Sequence, residues 1–347
     1  MKVFGFVMIL VALFSLILLR PAYSTTLSLT VGTDKQVYNI GDAATFTGTV
    51  NNGSAVPDAL VLFEVDTPEG NPWIIRTFAT GQTPIGPFAA QLLNVTPTDT
   101  LGNPDYTFNP NTLAGFKVNM QNNYGTSYPV LVAISLFFSD GLPFAEQIVF
   151  NETLQAYQSA SALATVIIPG NAVLGQAMVY ASIFSNYPKN NGFPYSPEQS
   201  ATFNITSGIP AQAPQSSPQL GNFSLSVPLT STPSLPIWLG NYMVYAKTQY
   251  GVYADSAQTM FTVRLLGDLT GPNGVPDGKV DIKDVNLVAK AYGSFGPNYF
   301  YSGSPASSNW NPVCDLTGPK GVPDGKVDIR DVNFDAKEYG IVAIPAP

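Results

Sequence analysis

The stretch Gly41-Asp42-Ala43-Ala44-Thr45-Phe46-Thr47-Gly48-Thr49-Val50 sets the reading of the chain. After the Gly-Asp turn, Phe46, Gly48 and Val50 fall on alternate positions, the period of a half-buried strand. Upstream, Leu27, Leu29 and Val31 alternate in the same way. Downstream, Val61, Phe63 and Val65 alternate, Pro68-Glu69-Gly70-Asn71 turns the chain, and Trp73, Ile75 and Thr77 follow. A second set holds Phe116, Val118 and Met120, then the near-continuous apolar run Leu131 to Phe138, then Leu163 to Ile168, Met178 to Phe184 and Ala201 to Ile205. A Pro-, Gln- and Ser-rich linker is expected over Ile209 to Leu220. Three more strands follow, around Phe223, Tyr242 and Phe261. The expected fold class is mainly β.

Three late strands cannot close a sandwich alone, and four early ones do so poorly. Together they reach seven, the count of an immunoglobulin-like sandwich. We therefore expect a split sandwich: early strands within 25–105, a second sandwich at 106–206 inserted in it, and a linker with the late strands at 207–264. A linear string of units is the alternative reading.

The 347 residues are 45% apolar and 11% charged, with a net charge of −8. That suits packed cores rather than disorder, and it argues against nucleic acid as a partner. His is absent, which excludes Ser-His-Asp and Cys-His nucleophiles and His-ligated zinc. Cys occurs once, at Cys314, so no intrachain disulfide forms, and any metal is held by oxygen.

Lys2, the apolar run Val3 to Leu19 and the small-residue end Ala22-Tyr23-Ser24 read as a signal peptide over 1–24. An uncleaved membrane anchor is the alternative, and a secreted or cell-surface location is expected with either. Five N-x-[ST] sequons, at Asn52, Asn94, Asn151, Asn204 and Asn222, agree weakly with it.

The segment Thr33-Asp34-Lys35-Gln36-Val37-Tyr38-Asn39-Ile40-Gly41-Asp42, with Phe46 to Val50, resembles the opening of a macroglobulin-type Ig-like domain. Gly221 to Leu225 and Gly240 to Ala246 resemble its closing strands. The middle block, with Gly115-Phe116-Lys117-Val118-Asn119 and Asn122-Asn123-Tyr124-Gly125, is similar to adhesion-associated bacterial Ig-like modules. The resemblance implies secreted archaeal or bacterial surface architecture. The reactive thioester of macroglobulins needs a Cys that this region lacks.

The tail, 265–347, carries an internal repeat. Asp268-Leu269-Thr270-Gly271-Pro272 recurs as Asp315-Leu316-Thr317-Gly318-Pro319, and Asp277-Gly278-Lys279-Val280-Asp281-Ile282-Lys283-Asp284 recurs as Asp324-Gly325-Lys326-Val327-Asp328-Ile329-Arg330-Asp331. The offset is 47 residues throughout, and it also links Gly293 to Gly340. Ile282, Val285, Val288 and Tyr292, and then Ile329, Val332, Ala336 and Tyr339, predict the apolar faces of two short helices. Eight of the tail's ten carboxylates lie in the two loops. Hard oxygen donors around an Asp-Gly turn suit calcium.

Two loop-helix units in tandem, with no helix before the first, resemble a type I dockerin. The resemblance implies two Ca2+ ions. Asp268, Asp277, Asp281 and Asp284 would hold the first with the Lys279 carbonyl, and Asp315, Asp324, Asp328 and Asp331 the second with the Lys326 carbonyl. Thr270 and Thr317 are the candidates for the third ligand position. It also implies a cohesin-like or other surface protein as partner, although the partner-reading pairs are Ile282-Lys283 and Ile329-Arg330 rather than small hydroxyls.

No catalytic residue is predicted. Outside the tail only 13 carboxylates remain, and no facing pair stands out on one strand face. The expected function is that of a non-catalytic adhesion or binding protein with a tail for assembly. A polysaccharide-binding or polysaccharide-degrading component is the alternative, with Trp73 and Trp238 as candidate sugar platforms.

Overall fold

The computed structural model describes residues 26–206, 220–230, 237–271, 274, 276–318 and 323–340. The expected signal peptide lies outside these residues, as does the expected linker apart from Leu220. Among the described residues no helix is long and apolar enough to cross a membrane.

Sixteen strands are ordered along the described chain. The early ones are β1 (Ser28–Thr33), β2 (Val37–Asn39), β3 (Ala43–Asn51), β4 (Leu60–Asp66) and β5 (Pro72–Ala79). The middle ones are β6 (Ala90–Thr98), β7 (Thr107–Phe108), β8 (Leu113–Asn122), β9 (Tyr128–Phe137), β10 (Pro143–Leu154), β11 (Ser159–Ile167), β12 (Gly175–Phe184) and β13 (Gln199–Ile205). The late ones are β14 (Asn222–Pro228), β15 (Gly240–Tyr250) and β16 (Tyr253–Arg264), followed by helices α1 (Ile282–Ala291) and α2 (Ile329–Glu338).

Early and late strands pair with each other. β14 lies antiparallel to β3, with Phe223 opposite Gly48, and completes the sheet β1-β3-β14. β15 sits between β16 and β4 in the facing sheet β2-β16-β15-β4-β5. Tyr38, Phe46, Phe63, Tyr242 and Phe261 fill the space between these two sheets. Gly48 is required on central β3, because a Cβ there would collide with the Phe223 ring and the Thr30 carbonyl.

The middle strands form a second sandwich from β11-β8-β6 and β10-β9-β12-β13-β7, around Phe116, Phe138 and Phe203. It starts earlier than residue 106. β6 pairs with β8, so the boundary expected at 105 moves to the turns before Ala90.

The five-stranded sheets of the two sandwiches face each other. Leu62 and Ile75 pack on Leu131, Ala133 and Phe184. All seven residues of β4 are therefore buried, not alternately exposed. Arg76, wholly buried, holds Glu198 across the seam by paired bonds of 2.6 and 2.9 Å, and its guanidinium lies 3.3 Å from the Tyr180 ring centre. The Ser135 hydroxyl donates to the Ile75 carbonyl at 2.8 Å and accepts from the Ile75 amide at 3.1 Å. Further along, Glu64 and Asp66 point from one face of β4 into the seam, so a carboxylate pair does share a strand face there. Lys189 bridges both, 2.9 Å from Asp66 and 3.4 Å from Glu64. Alternation makes such residues look solvent-facing, because the sequence gives no sign that a second sandwich covers them.

Candidate metal centre

Each tail loop is wrapped around its first and last aspartates. The Asp268 carboxylate accepts from the amides of Asp277 (3.0 Å) and Gly278 (2.7 Å). Asp284 takes the amides of Leu269, Thr270 and Asp281, each at 2.8 Å. The second loop repeats this pattern at the same offset. Asp315 accepts from Asp324 and Gly325, and Asp331 from Leu316, Thr317 and Asp328. Gly278 and Gly325, both at φ +83°, supply the sharp turn.

The loops run directly into the helices. Asp281 and Asp328 are N-caps, and Asp284 and Asp331 close the capping boxes from the third helical position. Each helix end is tied to the opposite loop: the Gly293 amide donates to the Val327 carbonyl (2.8 Å) and the Gly340 amide to the Val280 carbonyl (2.9 Å).

The buried helix faces differ from the expected ones. Asp284, Val288 and Ala291 point inward on α1, and Asp331 and Asp335 on α2. Ile282, Tyr292, Ile329 and Tyr339 are more than half exposed. Loop wrapping rotates the helices so that their carboxylates, rather than their flanking apolar residues, face in.

Burial and crowding of like charge set the electrostatics of both loops. Burial pushes the carboxyls of Asp268 and Asp315 up, against the pull of their amide donors, and neighbouring aspartates add to the rise. Asp277 and Asp324 each keep one buried oxygen without a partner. The loops are not equivalent, however. Arg330 donates to Asp328 at 2.6 Å and to Asp324 at 2.9 Å, and these bonds hold Asp328 well below the usual carboxylate range. Its counterpart Lys283 approaches only Asp281, at 3.6 Å.

The structure thus brings Asp268, Asp277 and Gly278 together, with Asp284 over the loop entrance, and does the same in the second copy. Thr270 and Thr317 meet the terminal aspartates through their backbone amides. Among the described residues no three carboxylates converge to metal-holding distance, and parts of both loops, Pro272, Asn273, Val275 and 319–322, lie outside them. Sequence reasoning missed Asp335. It is fully buried, both its oxygens lack a partner, and burial, with Asp284 and Glu338 nearby, pushes it up to about 7. Its repeat partner is Val288, so the 47-residue offset held the signal.

No family model matches the chain, and no curated protein matches it. Among solved structures it is similar to the C-terminal domain of Wzt (13% identity, TM-score 0.31, covering 36% of this chain and 78% of that one). It is also similar to the CARDB domain of a Pyrococcus furiosus protein (16%, TM-score 0.23, 36% and 93%) and to a β-glucosidase from Listeria innocua (9%, TM-score 0.24, 35% and 16%). The chain spans only that small fraction of the β-glucosidase. Likenesses this slight carry nothing about function; the β-sandwich assignment rests on the strand pairing.

Proposed function

We propose that this is a non-catalytic secreted or cell-surface protein. Its two joined Ig-like sandwiches, of the macroglobulin and adhesion-associated type, form a stiff binding or spacing body. Its tail is a dockerin-like unit that two Ca2+ ions stabilise for assembly with another protein. The observation that carries this reading is the duplicated loop. Two copies 47 residues apart make the same backbone bonds to their first and last aspartates, and each keeps an orphaned buried oxygen, at Asp277 and Asp324. In each loop neighbouring aspartates raise the proton affinity of the first one, a repulsion that a cation would relieve. The exposed Ile282 and Ile329, at matching positions beside the loops, supply an apolar contact for a partner.

Calorimetric titration of the full chain with calcium, paired with thermal melts with and without chelator, tests this reading. The expected result is two binding events with dissociation constants on the order of 10⁻³ to 10⁻⁵ M. Chelation should melt the tail while the sandwiches hold. Absence of calcium heat, with melts unmoved by chelator, would refute it.

A further inference from the structure

The edge strands β5 and β10 of the facing sheets meet beside a cleft of about 200 Å3. Trp73, Trp238 and Phe144 line it, with Asn71 and Glu146 as polar members. The Glu146 side chain makes no hydrogen bond to the described residues, and its Oε1 is buried. Glu64 and Asp66 lie close enough to raise its proton affinity; Asp66 keeps one buried oxygen without a hydrogen-bond partner, and the Oε1 of Glu64 has only the Lys189 ammonium, 3.4 Å away. The Lys189 ammonium contacts Glu64 and Asp66 and not Glu146. Lys189 is already engaged by Asp66 (2.9 Å), the Gly70 carbonyl (3.0 Å) and Glu64 (3.4 Å), so it has nothing left for Glu146.

We propose that this cleft binds a compact organic cation of the quaternary-ammonium class, held by its aromatic walls and by the unpartnered Glu146 carboxyl, with Glu64 and Asp66 behind it. Aromatic faces attract a cation through their quadrupole, and indole does so best. A methylated ammonium also presents an apolar skin that those rings desolvate at little cost. A bare divalent ion would find mainly ring carbon on these walls, and a neutral sugar would gain nothing from ionising the carboxyls.

Proton release accompanies binding. Burial, then the charges of Glu64 and Asp66, push Glu146 up to about 8, with Lys189 pulling the other way. Glu64 rises to about 7, and Tyr187 rises for the same reasons. The incoming cation favours the ionised carboxyls, so protons compete with it below these values.

The test uses the full chain in calcium, titrated with choline or with its neutral isostere 3,3-dimethylbutan-1-ol, and read by calorimetry and tryptophan fluorescence. Choline should bind saturably and tighten roughly tenfold between about pH 6 and about pH 7. Glu146→Gln, with its melting checked, should weaken binding by roughly tenfold near pH 8 and flatten that slope. Trp238→Ala should weaken binding at every pH and keep the slope. The proposal is overturned if choline fails to saturate, if the neutral alcohol or glucose binds as well as choline, or if Glu146→Gln leaves affinity unchanged.

Discussion

At Arg330 two otherwise matching loops part. Its guanidinium occupies Asp324 and Asp328, two of the four carboxylates expected to hold the second ion, so calcium there must displace an ion pair. Arg330→Ala should tighten the weaker of two calcium events and leave the other unchanged in a calorimetric titration. Asp335 is a second residue-scale anomaly. It replaces the buried Val288 of the first repeat and lies against Gly267, where a side chain would meet its carboxyl at 3.0 Å. A buried polar group without a partner costs about 1–3 kcal/mol. Asp335→Val, the residue type of the first repeat at this position, should therefore raise the melting temperature of the metal-free tail. Breaking the Arg76–Glu198 pair does the opposite. Arg76→Ala leaves Glu198, partly exposed and then held by the Thr77 amide, without its cation, and should cost about 3 kcal/mol, the low end for a broken buried pair, in denaturant unfolding of the sandwiches.

Among the elements, the helices depend on their caps. α1 and α2 are ten residues each, too short to persist alone. Asp281→Ala should cost about 0.5–2 kcal/mol of tail stability, as for other N-caps. Asp284→Ala should cost more, because three amides lose their acceptor. Urea melts of the two variants side by side give the comparison. The strands show where sequence was readable. β3 and β15 keep strict alternation, and their pattern was plain. β6 and β10 went unread because bulges break their period, between Leu92 and Asn94 in one, and at Pro143/Ala145 and Ile148/Phe150 in the other. The tail loops were legible because a repeat reports on itself. The helix faces were not, since which side turns inward depends on amides donated from the loops. The seam carboxyls Glu64 and Asp66 were hidden for a related reason. Their strand has two buried faces, and the sequence shows only one.

For the whole molecule, the seam sets a pH response. Burial raises Glu64 to about 7 and Glu146 to about 8, above their value in an unfolded chain. The folded state therefore binds these protons more tightly, and the stability they contribute is present at low pH and lost as pH rises through about 8. Scanning calorimetry between about pH 5 and about pH 9 should show the melting point of the sandwiches falling, and Glu146→Gln should flatten the fall.

The insertion also decides how the molecule bears tension. A chain pulled from Ser28 and Arg264 is gripped at two points of the same sandwich, since β1 and β16 both belong to it. Load passes through the ladders that join early to late strands, β2–β16, β3–β14 and β4–β15, and the inserted sandwich, hung between β5 and β14, stays outside the chain's line of force while they hold. Only after the outer ladders tear does the inner sandwich enter the line of force. In single-molecule stretching the two bodies should therefore rupture in fixed order, outer before inner, whatever their relative stabilities. A chain arranged in this way keeps its inner module folded under tension until the outer one has yielded.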